Sequence, residues 1–216
     1  MSTHKLYCAL TFDDGPNTTT TVHMLDILQK HGVTASFFLC GDNITADTAP
    51  VVKRAYDMGC QICNHSRSHP PFSGLTPEQM MDEIEYTSKA IEAITGQMPV
   101  FFRPPYIAVN DAVFDTVPLT MICGIGAEDW LEEVSAQQRH DRIVARMQPG
   151  VIILLHDGEG NEQTVEAVDM LIPTLKDMGY EFLTVSGLFD SYGIDPGQNK
   201  YLYTYVNQDY RMPEWK

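Results

Sequence analysis

Five apolar runs in this chain each lead into a short polar signature, and that pairing narrows the folds open to it. The runs at residues 6–12, 60–63, 100–102, 119–126 and 151–155 lead into Thr11-Phe12-Asp13-Asp14-Gly15-Pro16, His65-Ser66-Arg67-Ser68-His69, Arg103-Pro104-Pro105-Tyr106, Asp129-Trp130 and Leu154-Leu155-His156. Strand-like segments at 34–40 and 181–185 complete the set, and helical patterns fall at 20–31, 48–58, 77–95, 136–147 and 162–178, the last bent at Pro173. Thr76-Pro77-Glu78-Gln79 is a helix start, with a capping residue, proline at the first helical position and Gln three residues after the cap. Alternating strands and helices predict a parallel sheet. An open doubly wound sheet gathers its ligands at one switch point, whereas a barrel collects polar groups from the carboxyl ends of many strands. The expected fold is therefore α/β: a distorted, incomplete (β/α) barrel with about seven parallel strands, filling residues 1–196 of the 216. Residues 197–216 form a tail with Tyr201, Tyr203, Tyr205, Tyr210 and Trp215, expected to pack as an extra strand or to serve as a linker, with a sugar-stacking surface as the other reading.

A formal net charge of −15 argues against a nucleic-acid partner and disfavours strongly anionic polymers. No apolar stretch reaches membrane-spanning length. The first five residues run straight into a strand and leave no room for an export signal. The expected location is outside the cell, as a mature domain, with a cytoplasmic protein as the other reading; a monomer is expected. The five cysteines, each among apolar residues, read as buried free thiols. Cys60 and Cys63 have a metal-like spacing, but three apart on a strand they face opposite sides.

A catalytic metal needs ligands converging from different elements with a position left open. His65 and His69, four apart, can share one side of a helical turn, and Asp13-Asp14 supplies carboxylates at another strand end. Two histidines and one carboxylate suit zinc, with cobalt and other divalent ions also open. Neighbouring carboxylates leaving a strand diverge, so one can ligate the metal while the other takes a proton from its water. His156 suits a general acid, and Asp129 would fix its tautomer and favour its protonated form. Arg103, between Phe102 and Pro104, needs a carboxylate partner, for which Asp13 is the best candidate. Trp130 and Leu155 either wall a small apolar slot or belong to the core.

In these residues the chain resembles the polysaccharide deacetylases, the family-four carbohydrate esterases. Residues 11–16, 65–69, 103–106, 129–130 and 155–156 match that family's five motifs in order, and the surrounding pattern extends the resemblance to about Ser191. The resemblance implies Asp13 as catalytic base, Asp14, His65 and His69 as ligands of one divalent metal, and His156 as general acid. It has Arg103 tuning Asp13, Asp129 tuning His156, the Tyr106 N–H holding an oxyanion, and Trp130 and Leu155 lining an acetyl pocket. One departure is Gly126, where many members carry an acid. The loops look closest to bacterial acetylxylan esterases, so O-acetyl groups of xylan are the expected substrate. Acetylated oligosaccharides of chitin or peptidoglycan N-acetylglucosamine are the alternative. A non-catalytic carbohydrate-binding module and a metal-dependent phosphatase or amidase are the readings from other classes.

Overall fold

A computed structural model of the chain describes residues 5–198 and 200–212. Within them the strands are β1 (Leu6–Asp13), β2 (Ser36–Leu39), β3 (Gln61–Asn64), β4 (Phe101–Phe102), β5 (Thr120–Ile122), β6 (Val151–His156), β7 (Tyr180–Leu183) and β8 (Leu202–Tyr203). The helices are α1 (Thr20–His31), α2 (Ala49–Asp57), α3 (Pro77–Thr95), α4 (Asp111–Thr116), α5 (Ala136–Val144), α6 (Glu162–Asp177) and α7 (Val185–Tyr192). No helix among the described residues is long and apolar enough to cross a membrane.

The strands run in the order β6-β1-β2-β3-β4-β5-β8, with parallel ladders. β1 is the hub: along one edge it pairs with β6, while Leu6–Ala9 pair with β7 and Thr11–Asp13 with β2. The wall closes where Ile125, beyond β5, bridges to Ile153 on β6. Gly124 makes this possible: at φ 149° its would-be Cβ sits 2.8 Å from the Leu154 Cβ and 3.0 Å from the Ile152 carbonyl oxygen. The tail fills the rest of the seam. Tyr203 O accepts from Cys123 N, Thr204 O from Ile152 N, and Gly150 O from Val206 N. Tyr203 is buried and Tyr205 and Tyr201 are partly so; Trp215 lies outside the described residues.

Period-two alternation sorts the apolar residues into two layers. Cys8, Leu10, Phe12, Ile153 and Leu155 face outward into a core shared with α1 and α6. Ala9, Phe38, Cys63, Phe101, Ile122 and Ile152 face the barrel axis and meet Val185, Leu188 and Phe189 of α7. Cys60 belongs to the outer layer and Cys63 to the inner, and all five cysteines are free and buried. The Thr76–Gln79 capping box at the start of α3 is formed in both directions.

The strand expected at 181–185 is β7, and it ends at Leu183, two residues before α7 begins. Thr184 ends the extended segment and caps the helix by accepting from Gly187 N. Val185 N donates to Ser36 Oγ and Ser186 N to Gln61 Oε1, which places α7 at the amino ends of β2 and β3 as a plug. Phe189 stacks on Phe101 with centroids 5.7 Å apart and meets the edge of Tyr203 at 4.9 Å. Phe189→Ala is expected to cost about 3–5 kcal/mol, read as a lowered midpoint in urea unfolding.

Candidate active site

All the polar signatures converge at the carboxyl ends of the strands, opposite the α7 plug. Asp13 is the last residue of β1, 2 % exposed, and faces the barrel axis. Arg103, wholly buried just beyond β4, donates from one terminal nitrogen to Asp13 Oδ1 and from the other to the Cys123 carbonyl at 2.5 Å. Its guanidinium lies 4.1 Å from the Phe38 ring centroid. A charge in that position tolerates burial only because a carboxylate answers it.

Asp14 turns the other way. Its left-handed backbone (φ 77°) swings the carboxylate out of the strand direction, toward His65 and His69. His65 Nε2 and His69 Nε2 stand 3.5 and 3.4 Å from Asp14 Oδ1. Gly15 continues the turn over the buried Asp157 carboxyl, where a Cβ would come within 2.7 Å of Asp157 Oδ2. Burial raises Asp157 to about 7, against a hydrogen bond donated by Thr21.

His65 and His69 do not share a helical turn. The segment is a loop in which Ser66 (φ 69°) and His69 (φ 61°) are left-handed, and this folding-back brings the rings to 4.8 Å. Asn64 Oδ1 accepts from Ser66 N, and Glu83 on α3 accepts from Arg67 N, Ser68 N and Ser68 Oγ. Period-3.6 reasoning missed this because local side-chain hydrogen bonds, rather than a helix ladder, hold the backbone.

The donor set fits a divalent cation. One donor atom each from Asp14, His65 and His69 lies within 4.8 Å of the others. His65 Nδ1 is 2.7 Å from the Arg103 carbonyl oxygen, which can only accept, so Nδ1 carries the proton and Nε2 keeps its lone pair for a metal. Burial would raise Asp14, but the imidazoles of His65, His156 and His69 outweigh it and hold the carboxyl at about 2. Burial, with help from His65, lowers His69 despite the pull of Asp14 and Asp13. An anionic carboxylate and neutral imidazoles are the ligand forms.

His156 ends β6. Its Nδ1 lies 2.9 Å from Asp129 Oδ1, and its backbone N donates to Asp129 Oδ2 at 2.7 Å. Burial works to lower the imidazole, but Asp129, with Asp13 and Asp14 behind it, more than offsets this and raises it to about 9.

The walls belong to a cavity of about 700 Å³ lined by Asp13, Asp14, His65, His69, Trp130 and His156 among others. Tyr106 stands at its rim, left-handed at φ 56°, with its ring edge-on to His69 at 4.7 Å. Trp130 meets His156 edge-on at 5.6 Å. Leu155, expected on the cavity wall, is not there. It packs outward into the helix-facing core, and Leu154, one residue earlier and of opposite parity, lines the cavity with Gly124 and Gly126. Alternation from His156, which faces the site, would have selected Leu154.

The polysaccharide deacetylase family model matches residues 1–119. The chain belongs to the polysaccharide deacetylase family. It is 43% identical over 188 residues, 87% of its length, to a bifunctional xylanase/deacetylase of Pseudobutyrivibrio xylanivorans. It is 35% identical over 182 residues, 84% of its length, to a peptidoglycan-N-acetylglucosamine deacetylase of Listeria monocytogenes. It spans about a third of these relatives, 31% and 38% of their lengths. The family 4 acetyl xylan esterase from Clostridium thermocellum, solved with a cobalt ion, superposes with a TM-score of 0.91 at 37% identity, covering 94% of this chain and 100% of that one. The CE4 domain of a multidomain xylanase from the hindgut metagenome of Trinervitermes trinervoides gives 0.92 at 40% identity, covering 94% and 99%.

In this polysaccharide deacetylase, Asp129→Asn removes the main charge that raises His156, leaving only Asp13 and Asp14 to oppose burial. His156 is then expected to titrate clearly lower than in the wild type, measured by NMR of the imidazole.

Proposed function

We propose that this chain is a metal-dependent carbohydrate deacetylase that releases acetate from acetylated polysaccharide, with O-acetyl groups of xylan as its substrate. The observation that carries this reading is the meeting, at one cavity, of an Arg103-held Asp13, an Asp129-held His156 and the Asp14–His65–His69 donor set. A binding module has no use for two ion-paired proton-transfer groups beside a metal-competent triad.

Asp14, His65 and His69 would hold one divalent ion, zinc in this reading. When bound, the ion supplies Lewis-acid polarisation of the acyl carbonyl and makes water at the site more acidic. The Asp13 carboxylate takes the proton of the attacking water, oriented for that task by Arg103. The Tyr106 N–H donates to the oxygen that becomes negative as the carbonyl carbon turns tetrahedral. His156, protonated through Asp129, gives its proton to the departing sugar oxygen. Trp130 and Leu154 contact the acetyl methyl and exclude larger acyl groups.

The xylan assignment is supported by the strong similarity to the xylanase-linked deacetylase and the acetyl xylan esterase. It also fits the net charge of −15, which opposes an anionic polymer. An extracellular site of action and a monomeric catalytic unit belong to the same reading.

The test is acetate release from acetylated xylan and from N-acetylglucosamine oligomers by metal-stripped protein, before and after reloading with zinc or cobalt. Activity on xylan should return with metal and fall by about 10²–10⁴-fold in Asp13→Ala. Release from the amino-sugar oligomers alone would overturn the xylan assignment, and silence on both with metal bound would overturn the deacetylase reading.

A further inference from the structure

Behind the Asp129–His156 pair lies a buried cation. Arg139, on α5 and 2 % exposed, forms no direct ion pair with a carboxylate among the described residues. Four of its five donors are spent on neutral acceptors from two segments. Nε donates to Val134 O at 2.8 Å and a terminal nitrogen to Leu131 O at 3.1 Å, both in the loop that carries Asp129 and Trp130. The other terminal nitrogen donates to Thr164 Oγ1 at 2.8 Å and to Asn161 Oδ1, at the start of α6.

Both α6 partners pass the contact on to the pair. Thr164 Oγ1 donates its own proton to Asp129 Oδ2 at 3.0 Å. Asn161 Nδ2 donates to the Asp129 carbonyl at 3.2 Å and the His156 carbonyl at 3.1 Å. Asp129 is thus gripped at its carboxylate and its backbone, and Asn161 ties its backbone to that of His156. A guanidinium is suited to this because its planar fork reaches several acceptors in fixed directions, which an ammonium cannot. Burying it without a direct counter-ion is costly, and a staple for the loop alone would not need the links through Thr164 to the Asp129 carboxylate and through Asn161 to its backbone.

We propose that Arg139 is a positioning residue that, through Thr164 and Asn161, locks the Asp129 carboxylate and the Trp130 loop against His156. The proposal uses the deacetylase reading only in giving His156 its role as acid. The other charged groups facing His156 are Asp13 and Asp14 at the end of β1, with Glu132 and Glu159 lining the polar cleft beside it, and the variants below leave all four in place.

The experiment compares zinc-loaded wild type, Arg139→Met, Arg139→Lys and Thr164→Val by NMR titration of the His156 imidazole and by steady-state acetate release. With Asp129 free to rotate, the His156 titration in Arg139→Met should fall by about one pH unit. Its kcat should drop roughly tenfold or more with KM nearly unchanged. Thr164→Val, which removes only the hydroxyl bridge, should move both readouts the same way by less, and it serves if Arg139→Met does not fold. Arg139→Lys should not restore them. Folded variants with wild-type titration and kcat, differing only in thermal midpoint, would overturn the proposal in favour of a plain staple. Restoration by Arg139→Lys would overturn it in favour of bare charge. Shifted titrations in an enzyme whose wild type releases no acetate would sink the deacetylase reading and leave the positioning role standing.

Discussion

The structure turns on one buried ion pair, Arg103 with Asp13. It sits where β1, β4 and the end of β5 approach the barrel axis, above the Phe38 ring and below the open cavity. A buried pair of this kind adds little net stability over an apolar filling, but losing either member leaves the other charge stranded. Its value is therefore positional. It fixes the carboxylate in one orientation, and the Arg103 carbonyl fixes the His65 ring in turn. One residue so orients both the proposed base and a proposed metal ligand.

The same logic repeats on the other side of the cavity with different chemistry. There a carboxylate is held by backbone, hydroxyl and imidazole donors, and raises the imidazole rather than being held by a guanidinium directly. The two halves differ in sign. In the proposed reading one side accepts a proton and the other gives one. Opposed assignments of that kind arise from environment, since the side chains are of ordinary types.

Much of this was legible in the chain. Apolar runs ending in polar residues gave the seven main strands and the face on which the polar groups gather, because burial imposes its period regardless of partner. What escaped notice followed from tertiary context. Ser186 and Gly187 are poor helix formers, and Val185, Leu188 and Phe189 look like more strand; they form a helix because the barrel's amino end must be filled. The loop at His65–His69 escaped because Glu83 and Asn64, distant or polar, decide its shape. Leu154 rather than Leu155 lines the cavity because strand parity from His156 turns it to the same side.

The seam completed by the tail has a consequence for how the molecule forms. β1, near the start of the chain, needs β6 and β7 as neighbours, and the gap between β5 and β6 is filled by residues around Tyr205. The half of the cavity that carries His156 hangs from those same strands. Assembly therefore depends on contacts between segments far apart in the sequence, a topology dominated by long-range pairing that folds slowly for its size. On the ribosome, the helices α1 to α3 can emerge and begin to pack, but the wall that carries Asp129 and His156 cannot be sealed until nearly the whole domain has been synthesised.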